Sequence, residues 1–168
     1  MVALFIGKGN CRAFCKTVTQ ILKEHCDILS ISDEEIFKSD ESYKLTVIFK
    51  SGKVKANLKN DCVFLNQCEK YSEISGKRYL ICDSSYPYDL EIAKKSDGEV
   101  ITCGLSLRDC VTFSSFNDDR CVISVQRRLT RIDGQKVDPF EFPYSFQPDD
   151  DRYGILCAHL LLILLGYL

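Results

Sequence analysis

A chain of 168 residues with 45% apolar and 27% charged side chains has the length and hydrophobicity of one globular domain and lies far from the polar composition of disordered proteins. Its formal net charge of −2 comes from interspersed charges, and no Lys/Arg cluster is dense enough to follow a phosphate backbone, so nucleic acid is excluded as an expected partner. A single α/β domain over 1–168 is expected.

The first thirty residues read as one βαβ unit: an apolar strand 2–6, a Gly7-Lys8-Gly9-Asn10 turn, a helix 11–25 and a strand 27–31. Within the helix Phe14, Val18, Ile21 and Leu22 recur at helical offsets and share one buried face. Residues 33–37 form a turn or short helix. Residues 43–49 alternate apolar and polar, Ser51-Gly52 turns the chain, and 54–58 supplies a second strand, which predicts a hairpin. Exposed strands there leave room for edge-to-edge homodimerisation. A strand 61–65 and a polar loop 66–77 follow. The run 79–82 ends in Asp83, residues 84–87 start a helix over 88–95, Gly98 closes it and 100–103 is the next strand, giving a second βαβ unit. From Asp109 the period becomes two, and 110–116, 121–126 and 129–132 predict an antiparallel meander. A linker 138–151 with three of the four prolines leads to the most apolar segment, a helix over 152–168. Its uncharged part, 154–168, is shorter than the roughly twenty residues that cross a bilayer, so it is read as a core helix with no membrane span.

The ten cysteines mostly fill apolar slots such as Cys82, Cys103 and Cys157, and the opening Met1-Val2-Ala3-Leu4-Phe5-Ile6-Gly7 has no basic segment of the signal-peptide kind. Reduced core thiols and a cytoplasmic location are expected. No Cys-x-x-Cys pair occurs, so no metal site is expected.

The turn Gly7-Lys8-Gly9-Asn10-Cys11-Arg12 lies between the first strand and the first helix, where backbone N–H groups and a helix N-terminus can face an anion. It lacks the Gly-Lys-Ser/Thr ending of a P-loop and the third glycine of a dinucleotide fingerprint. Gly7, Lys8, Gly9, Asn10 and Arg12 are therefore candidate ligand-binding residues on a turn whose simplest reading is a tight strand-to-helix connection. Asp83 joins them as the aspartate at the carboxyl end of a parallel strand, the edge where open α/β sheets bind ligands. It also reads as a turn or capping aspartate before Ser84-Ser85. His25 and His159 are read as structural, and 149–151 as an acidic cap for the last helix. No catalytic residue and no cofactor are expected.

Five pieces occur in the order found at the end of a Mur ligase central domain. They are Leu80-Ile81-Cys82-Asp83, Leu90-Glu91-Ile92-Ala93, Val100-Ile101-Thr102-Cys103-Gly104-Leu105, Asp109-Cys110-Val111-Thr112 and Tyr153-Gly154-Ile155-Leu156-Cys157-Ala158 with a closing Leu165-Gly166. Over 78–168 the chain resembles that ATP-dependent ligase family. The resemblance implies a three-layer, Rossmann-like α/β domain with a mostly parallel sheet and a small antiparallel extension. The family's Gly-Thr-x-Gly-Lys-Thr loop is absent from 7–12, its magnesium-binding glutamate and its lysine-bearing segment have no match, and Tyr153-Gly154 stands where many members have Tyr-Asn. The expected function is that of a non-catalytic, bacterial Mur-ligase-like protein that binds a protein partner or a small molecule in cell-envelope metabolism or its regulation. The competing expectation is a nucleotide-dependent ligase or transferase in which Lys8, Asn10 and Arg12 surround phosphate with Asp83 nearby. Nucleotide-stimulated turnover separates the two.

Overall fold

The computed structural model describes residues 1–8, 11–33, 35–39, 44–59, 61–68 and 73–168. The opening βαβ unit forms as expected from β1 (Val2–Gly7), α1 (Arg12–Lys23) and β2 (Ile28–Ile31). Phe14, Val18, Ile21 and Leu22 are all buried on α1, because their spacing puts them on the stripe that meets the sheet. Residues 36 and 37, read as part of a turn or short helix, instead belong to β3 (Ile36–Lys38), antiparallel to β2.

The expected hairpin does not form. β4 (Leu45–Ser51) inserts between β2 and β1 and is parallel to both. β5 (Lys55–Asn57) leaves the main sheet and pairs in parallel with β7 (Glu73–Ser75), a strand inside the segment read as loop. β4 alternates in burial because Leu45, Val47 and Phe49 enter the core on one face while Thr46 and Ile48 are half-buried on the other. β4 is paired on both sides and offers no free edge, whereas β5 is paired only with β7.

β6 (Cys62–Asn66), β8 (Tyr79–Cys82) and β9 (Glu99–Thr102) complete a seven-stranded sheet in the order β3-β2-β4-β1-β6-β8-β9, with α2 (Pro87–Lys94) crossing from β8 to β9. Six strands are parallel and β3 alone is antiparallel. β6 and β8 are continuous apolar runs since both faces of a parallel sheet are covered. On one face Phe5, Val47, Phe64 and Ile81 pack with α1 and with α3 (Arg152–Leu165). On the other, Leu4, Val63 and Leu80 pack with Ile92 and Ala93 of α2. The molecule is thus a mixed α/β structure with a mostly parallel main sheet.

The antiparallel extension is present with one exchange of strand. β10 (Val111–Phe116) and β11 (Arg120–Val125) pair as expected, but the third strand is β14 (Phe140–Ser145), from the segment read as linker. Pro143 sits opposite Val122 on this edge strand, where a missing N–H costs no ladder bond. The run read as a third meander strand becomes β12 (Leu129–Thr130), which pairs with β13 (Lys136–Val137) in a separate ribbon. α3 lies between the main sheet and this extension, and every residue from Gly154 to Leu164 is buried. Asp151 caps it by accepting from the Gly154 N–H at 2.7 Å, and Gly166, at φ +82°, ends it. Among the described residues no helix is long and apolar enough to cross a membrane.

Cys62, Cys68, Cys82, Cys103, Cys121 and Cys157 are buried side chains, and burial pushes the Cys62 and Cys68 thiols up to about 12. A thiol reagent is expected to modify no more than the partly exposed Cys11, Cys15, Cys26 and Cys110 in the native protein. Denaturant without reductant should bring the count close to ten. A denatured count near zero would contradict reduced core thiols.

Candidate functional site

β1 and β4 are neighbours whose onward connections use opposite faces. The chain leaving β1 crosses through α1, whereas the chain leaving β4 passes Val54, Ala56 and Leu58, which pack on the α2 side. Connections that diverge in this way leave a crevice beyond the carboxyl ends of the two strands, the usual ligand position of open α/β sheets. A cleft of about 720 Å³ opens there, within the range of small-molecule sites. It continues between α1 and the strands β2 to β4, where β3 extends the sheet beside β2 and, among the described residues between β2 and β4, no helix occurs.

The crevice end is lined by Gly7, Lys8, Lys50, Ser51 and Asn66. The Lys8 backbone N–H donates to the Asn66 carbonyl at 3.2 Å, and a Cβ on Gly7 would stand 2.8 Å from the same oxygen. Only glycine permits so close an approach of the two strand ends. The α1 wall carries Arg12, Lys16 and Lys23, one helix face by spacing. Lys16 Nζ lies 2.9 Å from Asp149. On the far wall Lys50 Nζ is 2.6 Å from Asp33 Oδ1, and the Ser51 hydroxyl donates to Asp33 Oδ2 at 3.2 Å. The hydrogen bond from Lys50 holds the Asp33 carboxyl below the usual range. Basic residues thus outnumber acidic ones around the cleft, and Cys11 at the start of α1 donates its thiol to the Lys8 carbonyl at 2.7 Å.

Of the residues read from sequence, Gly7, Lys8 and Arg12 are brought together on this cleft. Gly9 and Asn10 lie outside the described residues. Asp83 does not line the cleft. It stands at the end of β8, two strands from β1 and about 10 Å along the same sheet edge. Its Oδ1 accepts from the Ser85 N–H at 2.8 Å and the Ser85 hydroxyl at 2.6 Å, so the turn reading holds. Lys50 and Ser51 escaped the sequence reading because they end a strand that had been placed in a hairpin. Asp89 was also missed. It is fully buried on α2 and accepts from the Gln67 and Cys68 N–H groups at 3.1 and 2.9 Å, which holds Gln67 at φ +52° just beyond β6.

His159 is buried in α3 with Nδ1 2.8 Å from the Ile155 carbonyl, consistent with a structural histidine. Among the described residues no group of three or more His, Cys, Asp and Glu is placed to hold a metal ion. No protein-family model matches the chain, and no curated protein matches it.

Proposed function

We propose that this chain is a Mur-ligase-like domain of three-layer, Rossmann-like build that binds a small anionic molecule without catalysing a reaction on it. The observation that carries this reading is the placement of Gly7, Lys8 and Lys50 at the crevice between β1 and β4, with Arg12 on the facing helix. Backbone donors and fixed cations at the carboxyl end of a parallel sheet form an anion site. Phosphoryl transfer asks for more, namely a P-loop lysine in register followed by a hydroxyl that holds magnesium, and the sequence around Arg12 provides neither. The family resemblance over 78–168 supports a cytoplasmic role in cell-envelope metabolism or its regulation. The nucleotide-dependent enzyme remains the second reading, favoured by Lys8 and Arg12 lining one cleft.

Calorimetric titration tests both. Inorganic phosphate or pyrophosphate is expected to bind with a dissociation constant on the order of 0.1–1 mM, since micromolar binding takes about 8 kcal/mol, more than a few N–H groups and cations at an open site supply. Arg12→Ala and Lys50→Ala should each weaken it about five- to tenfold, the equivalent of roughly 1–1.4 kcal/mol. Absence of any anion binding at 10 mM ligand (roughly the weakest binding titration resolves) would refute the reading. Magnesium ATP bound more tightly than about 10 μM, and weakened by Lys8→Ala or Arg12→Ala, would make the enzyme the better description.

A further inference from the structure

The cleft extends well past its cationic end, and the extension has a chemistry of its own. α1 turns Phe14, Val18, Ile21 and Leu22 into the core, while Cys15, Thr19, Gln20 and Lys23 of the same helix line the cleft. The floor opposite them carries Ser30 of β2, Phe37 of β3 and Phe49 of β4, so the cleft is polar on its helix side and aromatic on its floor. Ser30 and the half-buried Phe37 stand opposite each other in the β2–β3 register, which sets a small side chain beside a ring. The Ser30 hydroxyl meets that of Thr19 at 3.2 Å, where floor joins helix. Two hydroxyls that share one hydrogen bond keep a second hydrogen to donate. Ser30 is level with Val47 of β4, three residues short of Lys50, or about 10 Å along the strands. On the helix the rise from Arg12 to Thr19 is about 10 Å as well. The cations and the ring with its hydroxyls are therefore one molecule's length apart on both walls, a span that a bare phosphate leaves empty.

We propose that the cleft takes a phosphate monoester carrying a flat ring, with the phosphate at Gly7, Lys8, Arg12 and Lys50, the ring against Phe37, and a polar group on the ring's far side at Thr19 and Ser30. The assignment rests on the anion site proposed above and names the class of molecule that fills the rest of the same cleft. A flat ring laid on an aromatic side chain in a concave site gains both apolar burial and a stacking contact. The few polar groups around it fix its orientation.

Inorganic phosphate, naphthyl phosphate and hexyl phosphate are each titrated into the full chain by calorimetry, with naphthyl fluorescence as a second readout. Naphthyl phosphate is expected to bind about tenfold more tightly than inorganic phosphate, the gain from burying roughly 60 Å² of ring, and more tightly than hexyl phosphate, whose chain is flexible. Ser30→Leu, which fills the space beside Phe37, should bring the ratio of naphthyl phosphate to inorganic phosphate affinity close to one. Phe37→Leu, which removes the ring face and keeps the bulk, should lower the ratio about threefold. Arg12→Ala should weaken both ligands together. If Ser30→Leu fails to fold, Phe37→Leu and the comparison with hexyl phosphate carry the test. Phosphate binding with no advantage for the naphthyl ester overturns this proposal and leaves the anion site standing, whereas failure of every ligand to bind removes the anion site and this proposal with it. A ring advantage that survives both Ser30→Leu and Phe37→Leu, or hexyl phosphate bound as tightly as naphthyl phosphate, overturns it too.

Discussion

Leu161→Ala or Leu164→Ala is expected to leave the chain unfolded or barely folded at 25 °C, through a loss of about 2–5 kcal/mol out of the 5–15 kcal/mol typical of a domain. Both leucines are 0% exposed. α3 is apolar around its whole circumference because it has no solvent side: α1 and the main sheet lie against one side and the β10-β11-β14 sheet against the other, where Phe142 and Tyr144 meet the ring of His159 at 5.5 and 4.4 Å. Truncating a side chain there leaves a cavity between rigid layers that cannot close on it. Leu107→Ala, at a residue 75% exposed, is the control and should change the melting temperature by little. Wild-type melting temperatures for both core variants would show that the helix is not part of the core.

The second large effect is hidden in the wild type and appears only when one of two buried groups is replaced. Burial pushes His159 down to about 4 and lifts the Asp89 carboxyl to about 6. The unfolded chain binds a proton at His159 below its model value of 6.5, while the folded chain resists until about 4, so the stability tied to neutral His159 is complete above 6.5 and is lost as pH falls, by about 3 kcal/mol. Asp89 acts in the opposite sense. Its folded pKa exceeds the model value of 3.8, so its contribution is complete below 3.8 and is lost as pH rises through 6, by about 2 kcal/mol once screening by nearby water is allowed for. Between pH 4 and 6 the two slopes largely cancel.

His159→Leu should therefore become more stable on acidification from pH 6.5 to 4, and Asp89→Asn should become less stable over the same range, each by the amount of the group that remains. Urea denaturation at intervals of half a pH unit reads both slopes. Parallel pH profiles for wild type and His159→Leu would show that the histidine is not buried neutral in the fold.

The local units were legible from residue order alone. Helical spacing at Phe14, Val18, Ile21 and Leu22 placed α1 on the sheet, the apolar runs of β1 and β8 marked parallel strands, and the acidic run ending at Asp151 marked the start of α3, because periodicity and caps are properties of neighbouring residues; the end of α3 at Leu165 rather than 168 was not read. The meeting of Gly7, Lys8 and Arg12 on one cleft was legible for the same reason, since residues this close in the chain stay together wherever the unit is placed. Pairing was decided by the tertiary structure. The alternation in β4 suits either a hairpin or a strand buried under a helix on one face, and only packing against Phe5 and Phe14 selects the parallel position between β2 and β1. β14 was obscured by prolines that are harmless at an edge and disruptive elsewhere. Lys50 joins Lys8 across 42 positions of chain. No local pattern encodes such a meeting, since it follows from the order in which strands fill the sheet.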